Sequence, residues 1–430
     1  MTSPAFTQQV SHADAPVRTV RSRPFTALER FARSQLHERL SGLRWGRLVL
    51  RDELGSQVFG GAHGPSATIE VHDGELYLDI AKQGSVGAGE AYAHGAWSTD
   101  DLVAVIRILV RNREVLQGME RGFARLGSAA LRLWHRRHDN TRSGSRENIS
   151  AHYDLGNEFY ELWLDETLMY SCAAFERPDM TLHEAQVARL DRICRKLDLQ
   201  PTDHLLEIGT GWGGMALHAA REFGCRVTTT TISRRQHEKA VERVRAAGLE
   251  ERVTVLFEDY RDLSGSYDKL VSLEMIEAVG ERWYDTYFET CSKLLKPDGM
   301  MLLQAITIRD SLYREALRSV DFIQRFIFPG SCIPSTSAIM DRVARVTDMN
   351  LYHLEDIGPH YAPTLRMWRE NMATNAARIR ELGYSEEFLR MWEFYLCYCE
   401  GGFEERSIQD VQMLLAKPLN RREPLLPRLA

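Results

Sequence analysis

Glu207-Ile208-Gly209-Thr210-Gly211-Trp212-Gly213-Gly214 closes a short apolar run, Leu205–Ile208, and opens a stretch of helical spacing from Met215. Glycines in a strand-to-helix turn let backbone approach a ligand closely, at a helix N-terminus whose N–H groups are free to face it. The spacing is E-x-G-x-G-x-G, not the G-x-G-x-x-G of dinucleotide sites. Outward from this loop, further apolar runs stand at Arg226–Ile232, Arg252–Phe257, Lys269–Leu273 and Met300–Ile306, with helical stretches between them, as from Arg234. Short apolar strands alternating with helices predict a parallel sheet covered on both faces. Leu351–Ile357 and Ile408–Leu415 complete it as a seven-stranded sheet.

The chain has 430 residues, too many for one core, which predicts two domains. Hydrophobic content of 44% and charged content of 27% are those of a globular protein. No run of about eighteen uncharged apolar residues is present to span a membrane. The N-terminus begins polar without a signal-peptide core, which points to the cytoplasm. Seven cysteines, without a CxxC pair, read as reduced thiols rather than a disulfide framework or a metal site.

Residues 1–24 read as a disordered N-terminus, 25–139 as a small domain, 140–150 as a polar linker and 151–420 as the catalytic domain. In the small domain, Ala67–Ile80 reads as two alternating strands joined at Asp73-Gly74. Asp101–Val115 reads as an amphipathic helix. The net charge of −6 hides arginine-rich stretches at Arg18–Arg51 and Arg107–Arg146. These suit either anionic lipid head groups or a solvated helix face. Nothing resembles a nucleic-acid motif, and the overall acidity argues against that partner.

The wording of the glycine loop resembles the first motif of S-adenosylmethionine methyltransferases, in which Glu207, Gly209, Gly211 and Gly213 would line the cofactor. After the second strand, Thr231, Ser233 and Gln236 stand where many nucleotide folds place an acid for the ribose. Hydroxyls and an amide can make the same hydrogen bonds. Helix capping by Ser233 is the competing role. Tyr260 and Arg261, after the third strand, are placed to cover an adenine.

Around this core stand His152-Tyr-Asp-Leu-Gly-Asn-Glu-Phe-Tyr, Met169-Tyr170-Ser171-Cys172, Met275-Ile-Glu277-Ala-Val-Gly, Phe326-Ile-Phe-Pro-Gly-Ser-Cys-Ile-Pro-Ser335 and Gly358-Pro-His-Tyr361. Together they resemble the cyclopropane-fatty-acyl-phospholipid synthase family, over roughly Ile149 to Lys417. Gly84-Ser-Val-Gly-Ala-Gly-Glu-Ala-Tyr-Ala-His-Gly is similar to the small lipid-binding domain of its two-domain members. The resemblance implies a Rossmann-like class I methyltransferase core, with a small α+β N-terminal domain. It implies transfer of a one-carbon unit from S-adenosyl-L-methionine to the double bond of an unsaturated phospholipid acyl chain. Tyr170 and Ser171 would close over the cofactor. Peripheral association with an anionic inner membrane surface is expected, and a homodimer is compatible with it.

An isolated alkene is a poor nucleophile, so the methyl must be held against it in a dry slot, and the resulting carbocation must lose a proton. The family's base is a bound bicarbonate, held at positions matching Cys172, Glu277, Gln304, Ile306 and Tyr361. Cys399 matches a further family cysteine among the catalytic candidates, although the reaction needs no thiolate. Read singly, Cys172 and Cys399 are buried small residues, Glu277 is a cap for a helix near Glu281, and Tyr361 is a loop aromatic. Ala278 and Gln304 replace histidines usual in the family. Gln304 can hydrogen-bond but cannot take a proton as imidazole can. That leaves a methylene or methyl-branched chain as the alternative to a ring. Competing readings are methylation of a soluble metabolite, and a lipid-binding protein with an inert methyltransferase core.

Overall fold

The computed structural model describes residues 23–116, 140–141, 155–423 and 425, which fall into two units. The N-terminal segment to residue 22, the run from Arg132 to Arg137, Arg142, Arg146 and His152 to Asp154 lie outside the described residues.

One unit takes residues 1–137, 315–329 and 368–407. Its sheet runs in the order β2-β1-β3-β4, with β1 at Arg47–Asp52, β2 at Gly55–Gly60, β3 at Ser66–Val71 and β4 at Trp97–Thr99. Helix Ala27–Leu40 opens on a capping box, with Thr26 and Glu29 satisfying each other's backbone N–H. Helix Leu102–Arg111 starts where Asp101 accepts from Ala104 N–H at 2.9 Å, as its amphipathic spacing predicts.

The expected hairpin at Asp73-Gly74 is corrected. Ser66–Val71 is a strand, but Glu75–Gln83 is a helix. The Asp73 carboxylate accepts the N–H of Glu75 at 3.0 Å, turning the chain into a helical start. Leu76 and Tyr77 are then both buried, which alternation along a half-exposed strand would not allow. Among the described residues, both arginine-rich stretches are also less free than their charge count implies. Arg23 pairs with Glu29, Arg33 with Asp52 and Arg51 with Glu70, while Arg107 and Arg111 share Glu405.

The other unit, residues 138–314, 330–367 and 408–430, is built on a seven-stranded sheet. Its strands are β5 His204–Ile208, β6 Arg226–Thr230, β7 Val253–Leu256, β8 Tyr267–Leu273, β9 Leu295–Ile308, β10 Asn350–Asp356 and β11 Ile408–Ala416. All seven expected strands are present, in the order β10-β11-β9-β8-β5-β6-β7. The pairs among β9, β8, β5, β6 and β7 are parallel, and β11 runs against both its neighbours. Alternate residues enter opposite cores: Leu206, Leu303 and Met413 on one face, Leu205, Leu302 and Leu414 on the other. This double coverage is why the central strands β5, β8 and β9 read as apolar runs, whereas the edge strand β10 has no buried residue. No described helix is long and apolar enough to cross a membrane.

Candidate active site

The glycine loop leaves the carboxyl end of β5 and enters helix Gly214–Glu222. Gly209, Gly211 and Gly213 have φ of +95°, +52° and +87°, a region that L side chains rarely adopt. A Cβ on Gly211 would meet nothing within 4 Å, so the loop is open on the side where a ligand would lie against backbone. Glu207 points into the protein, where Thr229 Oγ1 donates to its Oε2 at 2.6 Å. Burial pushes its carboxyl up to about 7, against the hydrogen bonds of Thr229 and Thr210.

The flanking residues expected around a cofactor come in two groups. Ser233 caps helix Arg234–Ala246, and Thr231 Oγ1 donates to Gln236 Oε1 at 2.9 Å, so these three form one local network. Tyr260 packs edge-on against Tyr287. Arg261 pairs with Asp259 at 2.6 Å and lies over the rings of Tyr260 and Trp283. On the other side, Tyr170 packs with Tyr160 and Trp163. Ser171 is buried with its Oγ unpartnered among protein groups, and its carbonyl accepts from Gln186 Nε2 at 2.8 Å. An open glycine cradle and an orphaned hydroxyl beside the same sheet edge fit S-adenosylmethionine.

Beside the cradle, Cys172, Gln304 and Tyr361 converge on a residue that motif reading passed over, Glu274. It stands one residue past β8, the strand next to β5, at the edge where open α/β sheets bind ligands. Its Oε1 accepts from Cys172 N–H at 2.8 Å and from Gln304 Nε2 at 2.7 Å, and its Oε2 accepts from the Tyr361 hydroxyl at 2.5 Å. Gln304 also donates to Asp410 Oδ2 at 2.9 Å. Its own oxygen accepts from Gln412 Nε2 at 3.0 Å and Arg189 Nη1 at 3.4 Å. Acids on one side and donors on the other fix which way the amide faces. Arg189 in turn donates to Gln186 Oε1 at 3.0 Å, so one network links Ser171 to Glu274.

Three carboxyl groups thus share a buried space with one guanidinium. Burial and then the charge of Glu274 drive Asp410 well above the carboxylate range. Burial also raises Glu274, but the hydrogen bonds from Tyr361 and Cys172, and Arg189, oppose that. Asp410 is thus raised further than Glu274, and Glu274 is the member of the pair that loses its proton first. Glu277 accepts from Ile306 N–H at 2.5 Å, while its Oε2 is buried without a partner. Burial and Glu274 push it up to about 8. It does not cap the helix near Glu281.

The sequence expectations are corrected at one point by this geometry. The bicarbonate implied by the resemblance does not fit, because Cys172 N–H, Gln304 and Tyr361 already donate to Glu274. The Cys172 thiol is buried, raised well above its ordinary range, and directed at the Ile357 carbonyl 3.7 Å away. Its backbone N–H reaches Glu274, while its thiol lies close enough to Asp410 and Glu274 for their charges to help raise it. Cys399 belongs to helix Glu386–Glu404 of the other unit, and burial raises its thiol too. All seven cysteines are free. A sequence signal for Glu274 did exist: an acid breaks the apolar run at a strand end in Val271-Ser-Leu-Glu-Met-Ile-Glu. Asp410 and Arg189 carried none, since an acid on an edge of alternation and an arginine on an amphipathic helix read as solvated.

Comparison with known proteins gives the same outline. Residues 140–413 match the mycolic acid cyclopropane synthetase family. The chain is 38% identical over 346 residues to tuberculostearic acid methyltransferase of Mycobacterium tuberculosis, covering 79% of this chain and 80% of that one. It is 36% identical over 353 residues to cyclopropane-fatty-acyl-phospholipid synthase of Escherichia coli, covering 82% and 88%. Among solved structures, a mycolic acid cyclopropane synthase complexed with S-adenosylhomocysteine superposes with a TM-score of 0.60 at 32% identity. The overlap is 63% of this chain and 98% of that one.

Proposed function

The chain belongs to the mycolic acid cyclopropane synthetase family and is an S-adenosylmethionine-dependent methyltransferase, and we propose that it methylates the double bond of an unsaturated acyl chain in a membrane phospholipid. The observation that carries this reading is the buried acid cluster beside the glycine cradle. A methyl transfer to oxygen or nitrogen can lose its proton to water, whereas a carbocation must be kept from water and given one base.

Bound at the cradle, S-adenosylmethionine supplies an electrophilic methyl group. The loop Glu207 to Gly213, Tyr170 and Ser171 hold it, with Thr231, Ser233, Gln236, Tyr260 and Arg261 on the nucleoside side. Tyr361, Cys172 and Gln304 keep the acid cluster oriented. Tyr361 also presents a ring, whose face suits a passing cation. Ile306 contributes its N–H to Glu277, and Glu277, raised to about 8, is neutral at pH 7 and adds no second charge.

Access to lipid is proposed through the first unit. On helix Ala27–Leu40, Leu28 and Phe31 are 58% and 55% exposed, and Arg30 is exposed between them. Arg44 and Arg47 are exposed as well. Apolar side chains flanked by arginines suit an anionic bilayer surface. The substrate assignment is tested by incubating the protein with methyl-labelled S-adenosylmethionine and vesicles of unsaturated phospholipid. Mass spectrometry and proton NMR should find label on the acyl chain, as ring protons far upfield or as vinylic methylene signals. Label only on head groups would refute it.

A further inference from the structure

Glu274 has a backbone φ of +50°, a conformation rarely adopted by residues with a side chain. Such a geometry persists where the surroundings hold it, and here they do. Glu274 N–H donates to the Gln304 carbonyl at 2.8 Å, and three separate donors meet its carboxylate. Those donors come from the segment before helix Leu182–Leu197, from β9 and from the start of helix Tyr361–Thr374. They are the groups that would otherwise receive a small planar oxyanion. A side-chain carboxylate presents the same pair of oxygens, tethered to the chain.

We propose that Glu274 is the catalytic base of this enzyme and occupies, as a built-in carboxylate, the place of a bound bicarbonate. The inference rests on the reading that an acyl carbocation must lose a proton. The step balances without an oxidant or reductant. The alkene π pair forms the new carbon–carbon bond as the sulfonium carbon–sulfur bond breaks, and that pair stays on sulfur. Glu274 then takes a proton from carbon, and the electrons of the broken C–H bond close onto the cation. They close as a ring bond when the proton leaves the transferred carbon. They close as a carbon–carbon double bond when it leaves that carbon after a hydride shift.

The other charged and titratable groups agree with this assignment. Burial raises every acid here, but Asp410 is driven well above the carboxylate range, Glu277 is pushed up to about 8 and the Cys172 thiol is raised. Tyr361, Cys172 N–H, Arg189 and Gln304 all oppose the rise of Glu274, which makes it the first of the group to ionise opposite Arg189. Gln304 bridges Glu274 and Asp410 and is a positioning residue.

Two variants and one ligand test this. Glu274→Gln keeps the shape and loses the base. Glu274→Gly removes the side chain and relaxes the φ of +50°, and circular dichroism with S-adenosylhomocysteine binding checks that it folds. Titration with 13C-bicarbonate, followed by NMR, should show no binding to the wild type and binding to Glu274→Gly. Wild-type turnover should be unchanged when bicarbonate is stripped from the buffer. Glu274→Gln should bind S-adenosylhomocysteine normally and lose about a hundred- to ten-thousand-fold in turnover. Added bicarbonate should restore part of the rate to Glu274→Gly. Bicarbonate binding to the wild type, or Glu274→Gln at wild-type rate, would overturn the proposal. If the wild type methylates no lipid, the substrate reading falls, and the bicarbonate titrations still decide for or against Glu274.

Discussion

Glu277 keeps a proton in the folded protein that it gives up in the unfolded chain. Its carboxyl is raised from an ordinary 4.5 to about 8 by burial and by Glu274, and its Oε2 has no partner to stabilise a charge. Between those values the folded state binds more protons than the unfolded state, so stability falls as pH rises through the window. The buried Glu207, raised to about 7, adds in the same direction. Denaturant melts of the wild type should show declining stability from about pH 5 to 8. Glu277→Gln should show a flatter profile and gain most, relative to wild type, at the alkaline end. An identical slope in the two proteins would place the titration elsewhere. Gly211 makes a second residue-scale test. An added Cβ meets no protein atom within 4 Å, but the φ of +52° disfavours any side chain and the space is where the cofactor is proposed to lie. Gly211→Val should weaken S-adenosylmethionine at least about tenfold, or ~1.4 kcal/mol, by titration calorimetry. Unchanged affinity would remove the loop from the cofactor site.

Helix Arg234–Ala246 depends on its first turn. Only Gln236, Ala240 and Val244 are buried, so packing contributes through a narrow stripe and the cap matters in proportion. Ser233 Oγ accepts from Gln236 N–H at 3.3 Å. Ser233→Ala should cost about 1 kcal/mol, and Ser233→Asp should stay near wild type because it keeps an acceptor there. Equal melting temperatures for all three proteins would show that the cap is dispensable. The other element decided by such local chemistry is Glu75–Gln83. Its alternation suited a strand, yet Asp73 turned the chain and Leu76 and Tyr77 found burial as neighbours on a helix. A short segment with apolar residues at both spacings cannot be resolved by period alone.

At the scale of the whole chain, charge along the sequence overstates charge available at the surface. Arg23, Arg33, Arg51, Arg107 and Arg111 are paired with acids of their own unit, leaving Arg30, Arg44 and Arg47 exposed near Leu28 and Phe31 in sequence. Each basic residue near an anionic bilayer is worth about 1 kcal/mol. Binding to anionic vesicles in a flotation assay should weaken with salt, and Phe31→Asp should weaken it further at any salt. Salt-independent binding to neutral vesicles would count against docking through this helix.

The centre of the sheet was legible in the sequence because β5, β8 and β9 are covered on both faces and must read as apolar runs, whatever they pack against. The cradle was legible because only glycine suits a run of positive φ between strand and helix. Cys172, Gln304 and Tyr361 could be named as candidates from their motifs. Tertiary structure alone decided what they serve. Cys172 N–H, Gln304 and Tyr361 come from segments more than fifty residues apart and meet on a carboxylate that follows a fourth, β8. A hydrogen bond is specified by atoms within about 3 Å, and no spacing along the chain encodes which distant donors a strand-end acid will meet.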